Sequence, residues 1–268
     1  MRVHDFADVI LLAERHLRDH PMLVPYSAVI VDEAQDLSCA MVRMLHHLVG
    51  DAPDGLTLIG DGQQSIYPGG YSLGEAGISV AGRGVVLDIN YRNTKQILSF
   101  AQRLVDGDEY TDIEGVVSRG DVPSSVPREG APPTITRCRN TSELEQHLVA
   151  RIATVTREVG TSVGDVAVLC RTKRAVDGVT RTLERAGIPL VQLEDYRGDT
   201  VDRVKVGTIK RAKGLEFKQV LIPDVHPGQT SISPPAAEAD HERWELERRE
   251  LYVAMTRARD GLWVGITG

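Results

Sequence analysis

The chain has 268 residues, 41% hydrophobic and 26% charged, which bounds it to one large domain or two small ones of ordinary globular make-up. A net charge of -7 excludes bulk attraction to nucleic acid, so any such contact needs a local basic stripe. Three scattered cysteines without a C-x-x-C pair argue against zinc or a disulfide framework, and the charged, amphipathic residues 1–21 against a secretory signal or membrane span, so a cytoplasmic protein is expected.

Phe6, Val9, Ile10, Ala13 and Leu17 recur at helical spacing, and Pro21 ends that helix. Short apolar runs follow, each closing on polar residues. These are 29–31 before Asp32, 56–59 before Gly60-Asp61, and 85–87 before Asn90-Tyr91-Arg92. A helix is predicted around 41–49. Residues 107–133, rich in Gly, Pro, Ser and Asp, read as loop. Beyond them come a helix near 142–159, a strand at 166–170, a helix near 175–186, and strands at 204–206 and 220–222. A loop at 232–239 precedes a charged helix from about 241 to 255 and a last strand at 262–264. Buried strands alternating with helices predict a parallel α/β sheet, with the four later strands together and ligands beyond the strands' carboxyl ends.

The chemistry-bearing stretches stand at the ends of these strands. Val-Ile-Val-Asp32-Glu33-Ala-Gln-Asp delivers two adjacent carboxylates from an apolar run. One can hold Mg²⁺ through water while the other lies near an attacking water. Gly60-Asp-Gly-Gln-Gln64-Ser-Ile-Tyr67 offers a neutral amide suited to a phosphate or a nucleophilic water. Thr208-Ile-Lys210-Arg-Ala-Lys213-Gly-Leu-Glu216-Phe packs three cations and a glycine turn between two strands, and Tyr252-Val-Ala-Met-Thr-Arg257-Ala-Arg259 closes a helix. Each has a bland reading as solvated turn or charged face. No G-x-x-x-x-G-K-[ST] phosphate loop occurs, nor any Gly-Lys dipeptide.

These segments with Asn90-Tyr91-Arg92, five in this order, resemble motifs II to VI of the superfamily 1 DNA helicases of the UvrD/Rep/PcrA type. The resemblance covers nearly the whole chain and implies a RecA-like P-loop NTPase fold. A truncated first RecA-like domain, residues 1–92, would precede a complete second one, residues 93–268. Asp165-Val-Ala-Val-Leu-Cys-Arg171 and Ala186-Gly-Ile-Pro189 agree with it.

By that resemblance ATP and Mg²⁺ are the cofactors and single-stranded or partly duplex DNA the partner, with 3′ to 5′ polarity. Asp32 would hold Mg²⁺, Glu33 would act as general base, and Gln64 would report the γ-phosphate. Tyr91 would stack on adenine, Glu216 would bind the ribose, and Lys213 would also belong to the nucleotide side. Arg92 and Arg257 would reach the γ-phosphate, and Tyr67, Thr208 and Lys210 would contact DNA. Departures from the family pattern are the missing phosphate loop and Gly69 at an aromatic's usual place, with Tyr71 as a substitute. Lys210 stands where the family has histidine, and 191–203 is too short for a large accessory 2B insertion. A helicase or translocase core unable to hydrolyse ATP alone is therefore expected. The alternatives are a non-hydrolysing DNA-binding or regulatory module, or half of a split motor completed by a polypeptide carrying the phosphate loop.

Overall fold

A computed structural model describes residues 5–22, 26–50, 52–66, 72–79, 83–106, 108, 110–111, 117–118, 123, 125–230, 235, 237 and 240–268. The chain divides into two compact units, the first formed by residues 1–87 and 107–121 and the second by 88–106 and 122–268.

In the first unit, helix α1 (Phe6–Asp19) starts in a capping box. The Asp5 carboxylate accepts from the Asp8 amide at 2.8 Å, and the Asp8 carboxylate accepts from the Asp5 amide. It packs on α2 (Cys39–Val49), capped by the Ser38 hydroxyl. Glu14 is buried at that contact, facing Arg43 at 3.7 Å and His47 at 3.6 Å. Strands β1 (Val29–Val31) and β2 (Leu56–Leu58) pair in parallel, Val29 opposite Leu56 and Val31 opposite Leu58. A small core of Val42, Leu73 and Ala76 takes in Leu58. Alternation along a strand leaves Ile30 outward, 72% exposed. A two-residue hairpin, β3 (Tyr110–Thr111) with β4 (Val117–Ser118), interrupts the stretch read from sequence as loop.

The second unit begins with α3 (Lys95–Val105), whose Ile97, Leu98, Ala101, Leu104 and Val105 make a buried face. The other elements are β5 (Thr134–Cys138), α4 (Thr141–Val155), β6 (Val166–Cys170), α5 (Lys173–Arg185), β7 (Leu190–Gln192), β8 (Val204–Thr208), β9 (Phe217–Val225), α6 (His241–Thr256) and β10 (Ala258–Thr267). The six strands form one parallel sheet in the order β5-β10-β9-β6-β8-β7, so the four strands predicted to share a sheet do so. All five residues of β6 are buried, as a strand covered on both faces requires. Leu144, Leu148, Ile152, Val176, Val179 and Leu183 from α4 and α5 pack against one face. This parallel α/β sheet is RecA-like in class.

Two sequence expectations need correction. Residues 85–87 are not a strand: Val85, Val86 and Leu87 are 76–86% exposed, and nearby only Ile89 makes an isolated bridge, to Ser125. An apolar run becomes a strand only when a neighbour satisfies its amides. The helix expected to reach 159 stops at Val155, where the Thr156 hydroxyl turns back to the Ile152 carbonyl at 2.8 Å. Of the predicted 232–239 loop, residues 232–234, 236, 238 and 239 lie outside the described residues.

Cys170, at the centre of the sheet, has its thiol pushed up to about 12 from 9.0, by burial first and the Asp224 carboxylate second. Folding therefore favours the neutral thiol. That contribution is complete below pH 9.0 and is lost as pH rises from 9.0 towards about 12. Within that window the slope is roughly 1.4 kcal/mol per pH unit. Lys205, whose ammonium is lowered from 10.5 by burial, works in the opposite sense just below 10.5. A Cys170→Ala variant should show a shallower loss of urea midpoint between pH 8 and 10.5 than the parent, although less stable at pH 7.

Candidate nucleotide and nucleic-acid sites

The adjacent carboxylates sit where β1 ends. Asp32 is exposed, and its Oδ1 accepts from the Glu33 amide at 2.8 Å. Glu33 takes the left-handed backbone conformation, φ 55°, which turns the chain sharply into a short 3₁₀ turn, Ala34–Asp36. Gln35 Nε2 donates to Glu33 Oε2 at 2.6 Å, while Gln35 Oε1 accepts from the Asp61 amide at 3.0 Å. Asp61 Oδ2 in turn accepts from Gln64 Nε2 at 2.8 Å. A continuous polar chain thus runs from Glu33 through Gln35 and Asp61 to Gln64. It depends on Gly60, because a Cβ there would lie 2.6 Å from Gln35 Oε1. Sequence reasoning picked out Glu33 and Gln64 but not Gln35, whose place follows from the parallel register of β1 and β2.

No group of three or more His, Cys, Asp or Glu side chains among the described residues is arranged to hold a metal ion. Mg²⁺ asks for less: one or two carboxylates, the remaining positions going to water and substrate phosphates. The exposed carboxylate of Asp32 at a strand end fits that demand, with Glu33 beside it. Tyr67 lies outside the described residues, as do Gly69 and Tyr71.

In the second unit the predicted residues fall at opposite edges of the sheet. Thr208 ends β8 at the carboxyl edge, and its hydroxyl accepts from the Arg211 amide at 3.3 Å. It lines a cavity of about 140 Å³ with Lys173, Gln192, Glu194 and Gly207. Lys210 follows in a 3₁₀ turn (Lys210–Ala212), its ammonium 3.2 Å from the mostly buried Glu250 carboxylate of α6. Arg171, beyond β6, pairs with Glu247 on the same helix at 2.7 Å. Lys213 is half-buried just after the turn.

Glu216 lies at the amino edge instead, immediately before β9. The reason is topological: β8 and β9 both run parallel to β6, so residues 209–216 must return the length of the sheet. Here Arg92 Nε donates to Glu216 Oε2 at 2.9 Å, and Arg259 Nη1 stands 3.6 Å from Glu216 Oε1. Tyr91, next to Arg92, is 70% exposed. A cavity of about 400 Å³ opens beside this group, lined by Asp165, Tyr196, Lys205, Glu216, Lys218 and Arg259 among others.

Arg257 is only 1% exposed. Its Nε donates to the Val253 carbonyl at 3.3 Å and its Nη1 to the Leu215 carbonyl at 3.4 Å. Arg92 and Arg257 therefore meet the chain at successive residues, Glu216 and Leu215. Asn93, which sequence reasoning passed over, is 1% exposed, and its Nδ2 donates to the Thr256 carbonyl at 2.9 Å and the Ala258 carbonyl at 2.7 Å. It fixes the change from α6 to β10 around Arg257. Arg128 donates to the Arg92 and Arg259 carbonyls and pairs with Asp260.

Comparison with known proteins gives the lineage. The model of the UvrD-like helicase C-terminal domain matches residues 85–197 and 190–267, and that of the UvrD/REP helicase N-terminal domain matches residues 1–69. A probable DNA helicase II homolog of Mycoplasma capricolum subsp. capricolum is 42% identical over 67 residues, which is 25% of this chain and 9% of that protein. The chain thus matches a small part of the relative's length. A solved C-terminal domain of a possible DNA helicase from Lactobacillus plantarun WCFS1 aligns with TM-score 0.45 and 23% identity, covering 67% of this chain and 88% of that one. With family models matching well over half of its residues, the chain belongs to the UvrD-like helicase family.

Proposed function

We propose that this chain is part of an ATP-dependent DNA helicase or translocase core, with residues 1–92 belonging to a first RecA-like domain and residues 93–268 to a second. Asp32 holds Mg²⁺, Glu33 acts as general base, and Gln64 reads the nucleotide's state. Tyr91, Arg92, Lys213, Glu216 and Arg257 serve the nucleotide, and Tyr67, Thr208 and Lys210 serve DNA. Bound Mg²⁺-ATP supplies the phosphoryl group, and the metal neutralises charge on it. The observation that carries the reading is the separation within the second unit. The cations around Thr208 lie at the carboxyl edge of the sheet, and Arg92, Glu216 and Arg259 at its amino edge, joined by residues 209–216.

Without a G-x-x-x-x-G-K-[ST] segment, the 268 residues do not hydrolyse ATP on their own. A second reading is half of a split motor, completed by a polypeptide that carries the phosphate loop. The exposed Ile30 and Ile59 beside β1 and β2 favour it, since parallel sheets are ordinarily covered on both faces. A non-hydrolysing DNA-binding module remains the alternative if nucleotide has no effect.

Single-stranded DNA binding tests the reading. Affinity should be weak in a chain of net charge -7 and should fall steeply with salt. Lys210→Ala should reduce the slope of log K against log salt by about 0.7, the value of one phosphate contact on a single strand. Binding indifferent to both salt and Lys210 would remove the 208–213 stretch from the DNA site.

A further inference from the structure

Residue 259 lies outside the nucleotide set proposed above, yet it is the exposed arginine of its segment. Arg257 is buried against carbonyls, whereas Arg259, two residues on at the start of β10, is 47% exposed at its side chain. Its guanidinium shares one carboxylate with Arg92: Glu216 Oε2 meets Arg92 at 2.9 Å and Glu216 Oε1 meets Arg259 at 3.6 Å. Two planar forks converging on one carboxylate are arranged as for any bidentate oxyanion, phosphate included.

An independent feature holds the pair in place. The Arg128 guanidinium donates to the carbonyls of both Arg92 and Arg259, and its other end is tied to Asp260. Residues 92 and 259, far apart in sequence, thus have their backbones pinned by one side chain. The three side chains of the Arg92–Glu216–Arg259 group stay 38%, 44% and 47% exposed, so exchanging one anion for another requires no buried charge to be uncovered. Exposed ion pairs of this kind are a weak hold that a polyanion displaces. The cavity of about 400 Å³ beside Glu216 and Arg259 leaves room for the ligand.

We infer that Arg92 and Arg259 together form a clamp for nucleotide phosphate, with Glu216 as the anion they surrender when phosphate arrives, freeing its carboxylate for the sugar. The inference rests on the nucleotide reading above and adds Arg259 as a phosphate-contacting residue and Arg128 as the residue that positions it. No covalent step is involved.

Calorimetric titration of the 268-residue chain with ATP, and separately with adenosine, tests it. Arg259→Ala should weaken ATP about tenfold, as loss of one charge-assisted contact does, and leave adenosine unchanged. Arg259→Lys should recover part of the loss, and Arg259→Gln should repeat it without removing the side chain's bulk. ATP affinity unaltered in both Arg259→Ala and Arg259→Gln, while Arg92→Ala weakens ATP, would overturn the clamp and leave the nucleotide reading standing. Equal loss of ATP and adenosine in the Arg259 variants would also overturn it, assigning Arg259 a structural role. A parent chain that binds neither ligand would refute both.

Discussion

ATP turnover by the 268-residue chain should stay at the level of its Glu33→Gln variant, with or without single-stranded DNA. Phosphoryl transfer is accelerated by positioning and by charge stabilisation, and a phosphate loop supplies much of both through its amides, its Lys and its Ser or Thr. Asp32 offers Mg²⁺ one carboxylate, and Mg²⁺ sites of this type depend on phosphates held by something else. In the proposed assignment, Arg92, Arg257 and Arg259 would stabilise charge only on a group already held in line. Adding a polypeptide that carries G-x-x-x-x-G-K-[ST] should bring turnover up, and Glu33→Gln should then lower it by about 10²–10⁴, the usual worth of a general base. Turnover in the isolated chain that vanishes with Glu33→Gln would mean that another element grips the phosphates.

The second large effect is structural. Asn93→Ala should destabilise the second unit by roughly 2–4 kcal/mol, because two buried carbonyls, at Thr256 and Ala258, lose their donors together. Asn93→Asp should be worse, since it turns an acceptor towards both carbonyls while keeping the side chain's shape. Urea denaturation followed by far-UV circular dichroism measures both. A loss below about 1 kcal/mol for the alanine variant would mean that water enters and replaces the amide. The same variants should weaken nucleotide binding, because residues 256 and 258 flank Arg257.

The central strands were legible before any coordinates. Val166–Cys170 and the middles of β9 and β10 are continuous apolar runs, as strands buried on both faces must be, and Val204 with Val206 marked β8 despite Lys205 between them. The edge strands β5 and β7 escaped, since Thr134–Cys138 is half polar and largely exposed, and Leu190–Gln192 is three residues long. Helix α3 also escaped, although Thr94 caps it and its apolar residues recur at helical spacing. Residues 85–87 misled for the opposite reason: composition reports that a residue is apolar, not whether a neighbouring strand exists to pair with it.

For the site, strand-end carboxylates and basic turns stand out in one dimension. What joins them does not. Gln35 reaches Asp61 through the pairing of two strands, and Asn93 reaches Thr256 and Ala258 across 163 and 165 positions. The contrast between buried Arg257 and exposed Arg259 follows from where a helix gives way to a strand, which no local spacing announces.

Residues 209–216 run from the carboxyl edge of the sheet to its amino edge and are tied at both ends. The Ile209 amide is tied to the Cys170 carbonyl at 2.9 Å, and the Phe217 amide to the Arg257 carbonyl at 2.9 Å. A segment anchored at both ends gives a covalent route by which displacement at one edge could reach the other. If the proposed sites hold, an anion that draws on Lys210 should alter binding at Glu216, and a ligand at Glu216 should do the reverse. Because linkage between two equilibria is symmetric, the factor by which one ligand changes the other's affinity must equal the factor in return. A single thermodynamic square, two ligands titrated alone and together, would therefore measure the stiffness of this one strap.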